Sequence, residues 1–216
     1  PGGSIALLVR YRSHLKTILP AMEDASIAWQ GTDISPLKQR EVIMDVYSLT
    51  KALHNPVDEI SWVALLRSPF CGLSLSDLQV LKNYFTNFKR VIAWLVSSAE
   101  LGPAQTRSTE VWSILSKNGA SRLKSFSQRL RPQWEQRERK PLRQWIESAW
   151  YSLGGEFLAA SSHDGEDSGS VSDFFDLLES VDQESLLSGK PFAMEELERR
   201  VDRLYASSAS KVGGTD

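Results

Sequence analysis

The sequence predicts a mainly α-helical fold with a small α/β beginning, and three observations carry that expectation. From about residue 38 onward, apolar residues recur three and four positions apart in one segment after another. Proline and glycine fall between these segments rather than within most of them. Only near the start does a short, continuous apolar run rich in branched residues occur, the pattern of a buried strand.

That run covers residues 5–9. Ser13 follows as an N-cap, and Leu15, Ile18, Leu19 and Met22 recur at helical spacing, with Pro20 expected to kink the helix. Residues 27–30 suit a second strand, so the opening reads as one β-α-β unit. Two strands do not make a stable sheet alone, so this unit needs further strands or must lean on the helices that follow. Next, Val42, Val46, Leu49 and Leu53 form a stripe that Pro56 ends, and ISWVALL (60–66) predicts a helix buried all round. After the break SPFCGLS a new helix opens. Phe88, Val91, Ile92, Leu95 and Val96 make a further stripe, as do Leu123, Phe126, Leu130 and Trp134. The clearest runs Leu142, Trp145, Ile146, Ala149, Trp150 and Leu153, opened by Pro141 and ended by Gly154-Gly155. Residues 161–170, SSHDGEDSGS, lack apolar content and read as a loop. A helix over VSDFFDLLESV follows, then a last one starting at Pro191, where Glu195, Glu196 and Glu198 precede Arg199, Arg200 and Arg203 in the order the helix dipole favours.

Composition narrows the function. The 216 residues carry a formal net charge of −2, where a compact module living only on nucleic acid would be strongly basic. One cysteine, Cys71, excludes an intrachain disulfide and fits a reducing, cytoplasmic setting; lying between Phe70 and Gly72, it reads as a buried filler. No apolar run is long enough for a membrane span, and no membrane partner is expected. The opening PGGSIALLV and the tail KVGGTD read as boundaries inside a longer chain. Phosphate-loop, zinc-spacing and nucleophile-elbow patterns are missing; SGKP (188–191) is too short for a phosphate loop, and His14, His54 and His163 are scattered. Carboxylates between Glu156 and Glu184 form an acidic block without Lys or Arg, read as a solvated face.

Two features remain. Lys117, Arg122, Lys124, Arg129, Arg131, Arg137, Arg139, Lys140 and Arg143 crowd one stretch. This is either a surface that tracks phosphates or the exposed face of a long helix whose other face is core. In the break at Arg67-Ser68-Pro69-Phe70-Cys71-Gly72-Leu73-Ser74, glycine permits a tight turn and Ser74 caps the next helix, with Asp77 three residues on. Such a hairpin presents backbone N–H groups and a helix N-terminus to a phosphate, with Arg67 adding charge.

The order of these pieces resembles UvrD-type superfamily-1 DNA helicases over nearly the whole chain. IALLVRYRSHLKTILPAMEDASIAWQ is similar to the start of that family's second motor (2A) subdomain, and LKQREVIMDVYSLTKALHNPVDEISWVALLRSPFCGLSLSDL to the start of its inserted 2B subdomain. RSPFCGLSLSDL matches the family's x-x-P-x-x-G-I-G-x-x-x-L pattern, with Leu73 and Ser74 replacing the commoner Ile and Gly. KPLRQWIESAWYSLGG and LERRVDRLYA resemble the subgroup related to the AddA and RecB exonuclease subunits (exonuclease V beta-like). The resemblance implies a division into residues 1–36 (partial 2A), 37–206 (helical 2B-like) and 207–216 (a tail returning to the motor core). The parent would be an ATP-driven 3′–5′ DNA translocase, a helicase or helicase–exonuclease of repair and recombination. ATP and magnesium belong to that parent; no cofactor, catalytic residue or metal is expected in this stretch. Carried over, Arg10 and Arg12 sit where the family touches single-stranded DNA, the second position commonly being Asn. Arg67, Gly72, Leu73 and Ser74 match the hairpin laid on the duplex ahead of the fork. With Arg129, Arg131, Arg137 and Arg139 of the basic stretch they make the expected DNA contacts, without sequence preference, while rotation of the helical body would gate unwinding. Expected partners are DNA at a duplex/single-strand junction and a second helicase–nuclease subunit. The alternative is a helical interaction module that docks a partner subunit, with 161–170 supplying specificity.

Overall fold

In a computed structural model, residues 5–10, 14–25, 27, 32–36, 40–85, 88–96, 111–137, 139–160, 167–203 and 205–207 are described. Among them ten α-helices dominate: α1 (Leu15–Asp24), α2 (Glu41–His54), α3 (Glu59–Arg67), α4 (Leu75–Tyr84), α5 (Phe88–Val96), α6 (Lys117–Trp134), α7 (Leu142–Ser152), α8 (Gly155–Ala160), α9 (Asp167–Leu187) and α10 (Met194–Val201). A helical turn at 111–114 precedes α6. The fold is mainly α.

The apolar stripes are what these helices bury. Val42, Val46, Leu49 and Leu53 turn α2 into the core, where it packs on α3, α7, α8 and α9. On α6, Leu123, Phe126 and Leu130 face α5 and α7; on α7, Trp145, Ile146, Ala149 and Trp150 face α6 and α9. Phe174, Phe175, Leu178 and Val181 close the core from α9, so one continuous apolar cluster runs through the helical body. Burying side chains of this size contributes about 1.5–3 kcal/mol each before entropy is counted.

Local chemistry sets the helix ends. Asp58 caps α3, accepting from Ser61 N at 3.2 Å and from Ser61 Oγ at 2.6 Å. At the far end of α7, Gly154 takes the left-handed conformation (φ 87°) that closes a helix without the steric cost a Cβ would bring. Gly155 is needed for a different reason: a Cβ there would overlap the Trp150 indole.

Several expectations are corrected. The opening β-α-β unit is not shown among the described residues. Residues 5–9 are in no helix or strand, and Ile5 and Leu8 are exposed, because a strand without a hydrogen-bonding neighbour among the described residues gains nothing from its backbone. Ile27 is not in a strand, and 28–30 lie outside the described residues, as does Ser13. The strand that does form is β1 (Thr32–Pro36), pairing antiparallel with β2 (Tyr205–Ser207); Thr32 faces Ser207 and Pro36 faces Tyr205, with an irregularity between. An antiparallel pair between distant segments cannot be the parallel pair of a β-α-β unit.

Smaller differences follow from context. Pro20 is accommodated within α1. In α3 the buried residues are Ser61, Trp62, Leu65 and Leu66, while Ile60 is exposed, so that helix is amphipathic. Pro141 is the N-cap of α7 rather than its first helical residue. Residues 167–170 form the first turn of α9, which shortens the expected loop; 161–166 lie outside the described residues. The last helix starts at Met194, after an extended 191–193.

Candidate nucleic-acid interface

The turn between α3 and α4 is closed by the chain's own backbone. Cys71 N and Gly72 N donate to Ser68 O (3.1 and 2.8 Å), and Leu73 N donates to Leu66 O (2.9 Å). Gly72 takes φ 68°, a left-handed conformation that costs other residues about 1–2 kcal/mol. Ser74 then caps α4, its Oγ accepting from Asp77 N at 3.1 Å.

Asp77 ties this turn to α6. Its side chain accepts from Ser74 Oγ (2.7 Å), from Ser116 N (2.9 Å) and from Ser116 Oγ (2.9 Å). Ser116 is itself the N-cap of α6, so two helix starts share one carboxylate, and the residue is only 4% exposed. Burial alone would raise its pKa; the hydrogen bonds from Ser116 and Ser74 more than offset that and hold the carboxyl below its ordinary range. Gly119 is the residue that lets Asp77 in, since a Cβ there would overlap the carboxylate.

Two arginines hold carbonyls of the turn, and a third lies further along α6. Arg67 Nη1 donates to Leu73 O at 2.8 Å, and Arg122 Nη1 donates to Gly72 O at 2.9 Å. Arg122 lies so close over Gly72 that a Cβ there would overlap its guanidinium. Arg129, seven residues further along α6, donates to Leu153 O at 3.1 Å. Burial pushes the Cys71 thiol up to about 12, and the positive charges of Arg129 and Arg122 pull weakly the other way, so both lie near the turn. A buried thiol held neutral in this way suits a core filler, not a nucleophile. Among the described residues none of these three arginines has a carboxylate within ion-pairing distance.

The arginines of α7 and α10 are different. Arg143 pairs with Glu147 (3.7 Å), Asp176 (2.7 Å) and Glu179; Arg200 pairs with Glu184 and with Glu196 (2.5 Å). Arg199 and Arg200 hold the Glu196 carboxyl down at about 2 through hydrogen bonds. The acidic block is therefore not simply a solvated face: its carboxylates bind α9 to α7 and α10.

The expected contact residues divide accordingly. Arg67, Gly72 and Ser74 meet at the turn, and Arg129 lies beside it. Leu73 is 1% exposed and belongs to the core, with its carbonyl taken by Arg67, so its side chain is closed to any ligand. Arg131 Nε donates to Leu95 O at 3.0 Å, alongside Ser127 Oγ, and so finishes the C-terminus of α5. Arg137 stacks over Trp134 at 5.0 Å, and Arg139 is exposed in the turn after α6. Arg10 is exposed far along the sequence from this group, and Arg12 lies outside the described residues. Arg122 was not among the expected contacts; its spacing of seven from Arg129, two helical turns along one face, was the signal in the sequence. α6 buries one face of the basic stretch and exposes the other, from which Arg122 reaches the Gly72 turn.

Among the described residues no group of His, Cys, Asp and Glu is arranged to hold a metal ion, and no helix is long and apolar enough to cross a membrane. No family model, curated protein or solved structure matches this chain.

Proposed function

We propose that this chain is a DNA-handling helical module of the 2B type, belonging to a UvrD-type DNA helicase or helicase–exonuclease, and that it grips phosphates at the Gly72 turn. The observation that carries the reading is the pair Arg67 and Arg122 on the carbonyls of a positive-φ glycine turn, with no carboxylate among the described residues within ion-pairing distance of either. Arg143, Arg199 and Arg200 are paired with acids, whereas the charge at the turn is available to an anion. Arg67 spends one N–H on Leu73 O and Arg122 spends two, on Gly72 O and Asn118 Oδ1, which leaves further donors on each for phosphate oxygens. A net charge of −2 is compatible with this, because the positive potential is local.

The β1–β2 pair supports the modular part. Residues 32–36 and 205–207 lie side by side, so the chain enters and leaves the helical body at one place, as an inserted body requires. Engagement would involve backbone phosphates and no base edges, hence no sequence preference. ATP hydrolysis, unwinding, a partner subunit and a cytoplasmic location belong to the proposed parent and follow only from the resemblance.

Fluorescence anisotropy with a labelled forked duplex at low salt tests the reading. Micromolar binding that is indifferent to sequence and lost at high salt is expected. No binding at high micromolar protein contradicts it.

A further inference from the structure

The first turn of α6 holds a reactive pair of residues. Asn118-Gly119 is the one Asn-Gly pair in the sequence, and Asn118 is exposed. With no Cβ on the residue that follows, the next backbone nitrogen can approach an asparagine side-chain carbonyl unhindered. Glycine is required here on separate grounds, because a Cβ at 119 would overlap the Asp77 carboxylate. Gly119 N lies among the first four N–H groups of the helix, which have no partner in the helical ladder. That ladder starts with Ala120 N on Ser116 O at 2.8 Å. Gly119 N instead donates to Ser116 Oγ at 2.9 Å. One hydroxyl therefore holds the nitrogen, and Asp77 holds that hydroxyl at 2.9 Å. On the other side, Asn118 Oδ1 accepts from Arg122 Nε at 3.1 Å, so a guanidinium stands at the oxygen that gains negative charge when the carbonyl is attacked.

We propose that Asn118 is a site of spontaneous deamidation, gated by the Ser116 cap, whose product carboxylate pairs with Arg122 and withdraws it from the phosphate site. Water is the only co-reactant. With the cap open, Gly119 N gives its proton to water or hydroxide and bonds to Asn118 Cγ. The Cγ–Nδ2 bond breaks, the leaving nitrogen takes up a proton, and ammonia departs from a closed succinimide ring. Water then adds to either ring carbonyl and opens it to aspartate or isoaspartate at 118. In both products a neutral amide has become a carboxylate. Aspartate there lies in the first turn, where the helix dipole favours it, and four residues before Arg122, the favourable order for an ion pair. Isoaspartate reroutes the backbone through the side chain and breaks that turn. The covalent step stands on the local geometry alone; its effect on DNA rests on the proposed phosphate site.

Peptide mass mapping after incubation at mildly alkaline pH follows conversion at 118 in the wild type, Ser116→Ala and Ser116→Thr. Each is incubated folded and in urea, with circular dichroism confirming the folded samples. The folded wild type should convert more slowly than the same chain in urea. Folded Ser116→Ala should convert about fivefold faster than folded wild type, the factor by which loss of an N-cap opens the first turn. Ser116→Thr keeps the cap and the slow rate, and all three convert alike in urea. Asp77→Ala, which releases the hydroxyl, should speed conversion in the same sense and serves if Ser116→Ala fails to fold. Equal folded rates with and without the cap, or no conversion at 118 in urea, overturn the site. Asn118→Asp, the product made directly, should bind the forked duplex about threefold more weakly than fresh wild type. If conversion is gated but Asn118→Asp binds as tightly, the modification site stands and its effect on phosphate binding is overturned. If neither protein binds DNA, the proposed function and this effect both fail, and the gated conversion alone remains.

Discussion

Asp77 lies where two helix starts meet, and its carboxylate accepts from Ser74 Oγ, Ser116 N and Ser116 Oγ. Replacing it with alanine leaves the part-buried Ser116 amide without its partner and breaks the link between the two caps, at a cost of about 1–2 kcal/mol measured by chemical denaturation. The sign of its pH dependence follows from a carboxyl held below its ordinary value of 3.8. The stabilisation is complete above that value and is lost as pH falls through the lower folded-state value, so the Asp77→Ala deficit should shrink only in strong acid. Asp45 behaves in the opposite sense. Burial first, and then the charge of Glu41, push its carboxyl up to about 6. A raised value means that ionisation opposes folding, so stability is highest below pH 3.8 and falls as pH rises through about 6. Asp45→Asn should therefore stabilise the protein at pH 7.5 by about 1 kcal/mol, after allowance for solvent screening of a half-exposed side chain, and make no difference near pH 3. At Gly72, alanine must adopt φ 68° and displace Arg122, so Gly72→Ala should lose about 1–2 kcal/mol of stability and also weaken DNA binding. The Ser74 cap, the glycine turn and the inert Cys71 could all be foreseen, because each depends on neighbours within a few residues. The roles of Asp77 and Arg122 could not, since their partners Ser116 and Gly72 lie 39 and 50 residues away.

Helix α6 shows why a basic stretch is ambiguous when read alone. Arg131 finishes α5 at Leu95 O, and Arg129 finishes α7 at Leu153 O, so each satisfies a carbonyl that its own helix leaves open. Alanine at either position should cost about 1 kcal/mol in thermal or denaturant unfolding, whereas Arg139→Ala, on an exposed turn, should be neutral. The same spacing that exposes one face of α6 to solvent presents Leu123, Phe126 and Leu130 to the core, and that alternation is visible in the residues themselves. Periodicity located the stripes of α2, α5, α6 and α7 for the same reason. It failed for the strands. Residues 5–9 have strand composition without a partner, and β1 pairs with a segment more than one hundred and sixty positions later, beyond the reach of any local pattern.

Across the whole molecule, charge is sorted more than it is accumulated. Arg143, Arg199 and Arg200 are neutralised where α7, α9 and α10 meet, while Arg67 and Arg122 hold the Gly72 turn and Arg129 the end of α7. Net charge conceals this arrangement, since a local cluster of arginines leaves the total at −2. The order of motifs suggested the turn as a contact; only the folded chain brings α6 beside it. The measurement that bears most directly on this account is the salt dependence of forked-duplex binding by the wild type and by an Arg67→Gln/Arg122→Gln double variant. The double variant should bind about tenfold or more weakly, and its log–log salt slope should be shallower by about 2, one phosphate contact per arginine. Equal affinity and equal slope for the two proteins would contradict a phosphate site at the Gly72 turn.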